Sequence, residues 1–209
     1  MFRVSSLLKK AVPAIKTGRI APENTALFLC DIQEVFRPTI YKFDEITHNS
    51  NRIYELAKIL NMPIIVTEQY PKAFGHIVSE FKDVEQYVVC EKTMFTMWTP
   101  EVKEKMKAEF PHIENILMVG IETQACIMAT TFDLLEENYD VHLLANCVSS
   151  RSQTDRLGGL KRMEKVGAYL TTAEAVLFQL LGDAKHPKFR EASKFIVKPF
   201  VDTDIDTVF

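Results

Sequence analysis

At 209 residues, 47% of them hydrophobic and 25% charged, the chain has the size and composition of one globular domain that buries a core without needing disulfides or metals. A net charge of −3 gives no basis for a nucleic-acid or anionic-membrane partner, and no apolar run approaches the ~18 residues of a membrane span. The 4 cysteines include no C-x-x-C pair, which argues against a disulfide framework or zinc knuckle and for a reducing compartment.

In chain order, residues 1–20 form a basic segment with Arg3, Lys9, Lys10, Lys16 and Arg19 and no acid before Glu23. Two readings stay open: the basic tail of a cytoplasmic protein, or a mitochondrial transit segment. A single domain is expected over 21–199. Short apolar runs at 25–30, 63–67, 86–90, 115–120, 141–145 and 167–171 predict strands, several apolar at successive positions, as strands covered on both faces are. Helices are predicted between and after them. Residues 45–61 place Ile46, Ile53, Leu56, Ala57 and Leu60 on one face before Pro63 stops the helix. Pro100 opens a helix over 100–109, and Asn138 closes one over 124–138. Others follow at 152–166, 172–181 and 187–197. The last segment, 200–209, ends VDTDIDTVF and reads as a flexible end or a partner-binding arm. Such alternation predicts an α/β protein, a three-layer α/β/α domain around a mostly parallel six-stranded sheet.

Ligands of open α/β sheets bind beyond the carboxyl ends of the strands. There the first strand delivers Asp31 and Gln33, the second Glu68, Gln69 and Tyr70, the third Lys92, the fourth Gly120 to Cys126, and the fifth Asn146 followed by SSRSQTDR. Cys30, Cys90 and Cys147 read as small core residues. Cys126 differs: with Thr123 as an amino-terminal cap it falls in the first turn of a helix, where free N–H groups and the positive helix end favour a thiolate. Asp31 is then a candidate proton acceptor, and Lys92 a cation that keeps Asp31 ionised and oriented.

These residues sit in motifs that resemble the isochorismatase-like cysteine hydrolases along nearly the whole chain. D-x-Q occurs at Asp31 and Gln33, a lysine with a following aromatic at Lys92 and Phe95, and G-I-E-T-x-x-C at 120–126. FLCDIQEVFR, VTEQYP, GIETQACI, SSRSQTDR and HPKF are similar to the animal and protozoan isochorismatase domain-containing branch. The resemblance implies a Rossmann-like fold, an Asp31–Lys92–Cys126 catalytic triad, and a cis peptide at Ile121–Glu122. It also implies an oxyanion hole made by the N–H groups of Glu122 and Cys126. It implies a homo-oligomer acting on a small molecule. The metal motif of nicotinamidases in this superfamily is not matched, because His76 stands alone in TEQYPKAFGHIVSE; no metal or other cofactor is expected.

Gln33, Phe36, Gln69, Tyr70, Phe95 and Trp98 follow the catalytic strand ends and are candidate walls of a small aromatic cavity. Ser149, Ser150 and Arg151 could hold an anionic group, but Ser152 with Asp155 makes a helix-starting box the favoured reading. A metal-independent cysteine hydrolase of a small amide or carbonyl-type compound is therefore expected. The alternative is a non-catalytic interaction protein that keeps the fold.

Overall fold

Each apolar run between helical stretches becomes a strand, the four central ones covered on both faces and the two edge ones only in part. The structure, a computed structural model, describes residues 16–205. Strands β1 (Thr25–Cys30), β2 (Ile64–Gln69), β3 (Val88–Lys92), β4 (Asn115–Ile121), β5 (Asp140–Ser149) and β6 (Tyr169–Thr171) form one sheet in the order β3-β2-β1-β4-β5-β6. All five pairings are parallel, so the sheet is wholly rather than mostly parallel. Strand order reverses between β1 and β4, and a crevice opens there beyond the carboxyl ends.

The helices are α1 (Phe43–Ile59), α2 (Pro71–Phe74), α3 (Pro100–Glu109), α4 (Met128–Glu136), α5 (Gln153–Lys165), α6 (Ala173–Leu181), α7 (Phe189–Ala192) and α8 (Lys194–Val197). Successive strand residues point to opposite faces, and the two cores follow from that. Leu27 and Leu29 pack with Leu56 of α1 and Leu177 of α6. Ala26, Phe28 and Cys30 pack with Val102 of α3, Leu134 of α4 and Leu160 of α5. These are the three layers.

Element ends differ from expectation where local bonds decide. Ser152 caps α5 by accepting from the N–H of Asp155, as its spacing predicts. The fifth strand runs on to Ser149, because a register shift between Met118 and Gly120 lets β4 resume pairing with β5 at Val148 and Ser149. Asn146 thus lies inside the strand, where its side chain accepts from the N–H of Ala173 at 2.9 Å. The segment expected as one helix over 187–197 is two short ones, α7 and α8.

Residues 1–15 and 206–209, which hold most of the basic segment and the end of the acidic tail, lie outside the described residues. Among the described ones, no helix is long and apolar enough to cross a membrane. Ile20 is already buried in the core. The chain beyond α8 is bound back onto its own domain. Arg52 of α1 donates to the carbonyls of Phe195, Lys198 (2.6 Å) and Pro199 (2.8 Å), and its guanidinium lies 3.9 Å from the Phe200 ring centroid. The Asn49 amide bonds both backbone groups of Val201 at 2.9 Å. Arg156 of α5 donates to Thr203 through its carbonyl (2.6 Å) and hydroxyl (3.0 Å).

Candidate active site

Parallel register lines up the strand ends that matter. Cys30 pairs with Thr67 of β2 and with Gly120 of β4, and Gln69 pairs with Lys92 of β3. Asp31 follows β1 directly, in a left-handed conformation (φ 50°) that asparagine and aspartate tolerate better than most residues. The turn is pinned by the Asp31 N–H donating to the Thr67 carbonyl at 3.2 Å, while the Thr67 hydroxyl donates to Asp31 Oδ1 at 2.7 Å. The other carboxylate oxygen, Oδ2, accepts from Lys92 Nζ at 2.7 Å and from the Cys30 thiol at 3.5 Å.

Lys92 is the last residue of β3 and is buried. Its ammonium also donates to Gln69 Oε1 (2.6 Å) and to the carbonyls of Met94 and Phe95 (3.1 Å each), and it lies 3.8 Å from Cys126 Sγ. Burial opposes the charge, but the surrounding Cys30, Asp31 and Cys126 outweigh burial and leave the lysine pKa above its ordinary value. A buried ammonium with this many acceptors is fixed in place as well as charged.

Cys126 arrives from β4. The Ile121–Glu122 peptide is cis, and a π-helical turn, Thr123–Ile127, precedes α4. The Glu122 carbonyl accepts from the N–H groups of Ala125 (3.0 Å) and Ile127 (3.2 Å), the residues on either side of Cys126. Thr123 does not cap this turn. It is fully buried inside the first turn, and its hydroxyl is turned toward β5, where it donates to the Ser149 carbonyl at 3.0 Å; Glu122 stands at the cap position instead. Thr130 secures the turn from below, donating to the Cys126 carbonyl at 2.6 Å.

A cavity of about 190 Å³ opens over Asp31 and Cys126. Of the expected walls, Phe36, Gln69 and Phe95 line it; Gln33, Tyr70 and Trp98 do not. Gln33 is fully buried and works as a brace. Its amide donates to the carbonyls of Gln69 (3.1 Å) and Gly75 (2.6 Å) and accepts from the Gln69 N–H (2.7 Å). Tyr70 is 47% exposed and sets its ring edge-on to Phe74. Trp98 turns into the core beside Phe28 and Tyr139, because the Met97 N–H donates to Thr130 Oγ1 at 2.8 Å and draws this loop back against α4. Phe74, Ile121 and Ala125 complete the walls. Phe74 was open to detection: Pro71 and Gly75 frame a one-turn helix that carries its ring to within 5.3 Å of the Phe36 ring.

Charge at the rim is paired. Glu122 accepts from the Arg151 backbone N–H (3.1 Å) and Nε (3.2 Å), and Ser150 donates to Gln124 at 2.6 Å, so these groups are engaged with each other. His76 Nδ1 meets Glu68 Oε2 at 3.0 Å. Among the described residues, one group could converge on a metal ion: Cys30, Asp31 and Cys126, with ligand atoms within 4.8 Å of one another. The Lys92 ammonium sits against two of the three and opposes a second cation by simple repulsion.

Comparison with known proteins identifies the family and the fold. The isochorismatase-domain family model matches residues 25–175. Isochorismatase domain-containing protein 2 of Xenopus laevis is 49% identical over 196 residues, covering 93% of this chain and 94% of that one. Isochorismatase family protein 1B of Dictyostelium discoideum is 42% identical over 177 residues, covering 83% and 86%. A solved structure named MAR1 ribonuclease, from Caenorhabditis elegans, superposes with a TM-score of 0.84 at 44% identity, covering 90% of this chain and 96% of that one. A protein described as an octameric hydrolase of unknown specificity, from Escherichia coli, shares the fold with a TM-score of 0.76 at 21% identity, covering 88% and 98%.

Proposed function

The chain belongs to the isochorismatase-domain family, and from that premise we propose a metal-independent cysteine hydrolase acting on a small amide or carbonyl-type compound. Family and fold support a hydrolase-type function. The observation that carries the finer reading is the meeting of three groups from separate strand ends: Lys92 Nζ lies 2.7 Å from Asp31 Oδ2 and 3.8 Å from Cys126 Sγ.

In this reading Asp31 takes the Cys126 proton and Sγ attacks the carbonyl carbon. The developing oxyanion is received by the N–H groups of Glu122 and Cys126, donors of a kind worth ~3–4 kcal/mol each to a transition state. Asp31 returns its proton to the leaving nitrogen or oxygen, then deprotonates the water that cleaves the thioester, and Cys126 departs with that proton. Lys92 holds the carboxylate in line and favours negative sulfur. The cavity, about 190 Å³ with Phe36, Phe74 and Phe95 in its wall, admits a compound of roughly one ring, smaller than the ~300 Å³ at which drug-sized sites begin.

The test is a screen of small amides, carbamates and esters against the full chain and Cys126→Ala, with quenched intact-mass analysis. Turnover that falls at least about a thousandfold in the variant, with an acyl adduct on Cys126 in the parent, supports the reading. Equal turnover by both proteins would sink it. Because one relative carries the name ribonuclease, RNA belongs in the screen; RNA cleavage that survives Cys126→Ala would replace the amide reading. No turnover of any compound, with slow alkylation of Cys126, would favour the non-catalytic alternative. The proposal includes self-association, for which Val35, Tyr70, Met94 and Phe95 offer exposed apolar side chains; sedimentation equilibrium measures it.

A further inference from the structure

Hydrolysis as proposed leaves one thiol at the site unused. Cys30 precedes Asp31 at the end of β1 and has no solvent exposure. Its sulfur, an Asp31 oxygen and Cys126 Sγ all lie within 4.8 Å of one another, and its S–H points at Asp31 Oδ2 from 3.5 Å. The backbone is built for this proximity. Cys30 pairs with Gly120, at φ +123°, where a Cβ would stand 2.1 Å from the Cys30 carbonyl oxygen; only glycine lets β4 approach so closely before turning toward Cys126. Cys126 lines the cavity, and Cys30 stands behind it. Burial, then the bond to Cys126 and the Asp31 charge, push the Cys30 thiol well above the ordinary value, so Cys30 keeps its proton at neutral pH. Cys147, by contrast, belongs to the opposite core.

We propose that Cys30 and Cys126 form a reversible oxidation site, in which a hydroperoxide entering the cavity oxidises Cys126 and Cys30 resolves the product as a disulfide. This rests on the reading of Cys126 as the nucleophile. Sγ of Cys126, as thiolate, attacks the distal peroxide oxygen; the O–O bond breaks, the sulfur loses two electrons to become a sulfenic acid, and the departing alkoxide or hydroxide takes up a proton from the site. Cys30 then passes its proton to Asp31, its sulfur attacks Cys126 Sγ, the S–O bond breaks, and the leaving hydroxide recovers that proton as water. Two thiols and one hydroperoxide give one disulfide, one alcohol or water, and one water. The sulfurs must close to the ~2.05 Å of a disulfide, a movement that falls to Cys126 in its turn, since Cys30 is fixed in a central strand. Resolution diverts the sulfenic acid from irreversible sulfinic and sulfonic acids, so the site is shut off by peroxide and reopened by thiols.

The experiment treats the full chain with hydrogen peroxide and follows it by peptide mapping and by iodoacetamide labelling of Cys126 before and after dithiothreitol. The expected result is a cross-link between the Cys30 and Cys126 peptides, loss of labelling, and nearly complete recovery on reduction. In Cys30→Ala, and in Cys30→Val as the better-packed second variant, Cys126 should instead gain two or three oxygens and stay blocked. Cys126 oxidised to sulfinic acid in the parent, with no cross-link to Cys30, overturns the proposal and leaves the nucleophile reading standing. A Cys126 inert to both peroxide and iodoacetamide overturns both. The parent's peptide map decides the matter even where a variant fails to fold.

Discussion

Lys92→Met is the sharpest test of how the site is held. The variant keeps the stem's packing and removes an ammonium that contacts Asp31 Oδ2 (2.7 Å), Gln69 Oε1 (2.6 Å) and the carbonyls of Met94 and Phe95 (3.1 Å). At 2.7 Å and an effective dielectric constant near 20, the lost attraction is about 6 kcal/mol gross. Relief of the lysine's own desolvation offsets part of it, and removal of one partner from a buried pair typically costs roughly 3–5 kcal/mol. Asp31 would keep only the Thr67 hydroxyl and the Cys30 thiol as donors. Urea unfolding at neutral pH, followed by the fluorescence of the single tryptophan, Trp98, should show that loss. Asp31→Asn combined with Lys92→Met should lose about 2 kcal/mol less than the sum of the single changes, because neither variant group is then an orphaned charge. Alkylation of Cys126 should slow in Lys92→Met. A stability loss below about 1 kcal/mol, or strict additivity in the double variant, would refute the picture of an interdependent buried pair.

Two further outcomes follow from buried cations and bases elsewhere. His142 stacks on Tyr169 with ring centroids 4.9 Å apart, its Nε2 lies 3.2 Å from Asn115 Oδ1, and burial pulls its pKa to about 4. The unfolded chain takes up this proton first, so the contribution is complete above about pH 6.5 and lost as pH falls toward 4, amounting to about 3 kcal/mol. Unfolding curves between pH 4 and 7 should show that fall in the parent and a flatter profile in His142→Gln. Arg156 is fully buried, is bonded to Thr203 and to the Ala145 carbonyl (3.0 Å), and is held below its ordinary pKa at about 10 by burial. Arg156→Met should cost about 2–4 kcal/mol in urea and expose the segment beyond α8 to proteolysis; an unchanged digestion pattern would count against its role as the tail's anchor.

What could be read from the sequence and what could not divides along physical lines. Successive apolar residues give away a strand covered on both faces, so the six strands and their layering were legible. A charged residue at a strand's end is legible as a candidate for the crevice, and Asp31 and Lys92 meet there at 2.7 Å. Trp98 was misplaced because closeness in sequence to Lys92 says nothing of the Met97–Thr130 bond that turns the loop inward. Arg52 and Arg156 were invisible for a different reason. Arginine is almost never buried unless it is paired, and both bond to backbone carbonyls of a tail far along the chain, which no local pattern encodes.

Cys30 shows where the same rules hold more than they first yield. Reading it as a small core residue is correct as far as packing goes, since it lies in the core with Phe28 and Val102. Yet the alternation that gives one strand two faces also fixes which core it enters. Leu27 and Leu29 point to the α1 side, and Phe28 and Cys30 to the α4 side, where Cys126 and Ile127 also pack. Parallel pairing of Cys30 with Gly120 then brings the second thiol within reach of the first. A period of two and a glycine that permits close approach are therefore enough to turn a filler residue into a neighbour of Cys126 Sγ. In the proposed oxidation site the same residue would serve packing and chemistry at once, and only a change that preserves volume, such as Cys30→Val, separates the two.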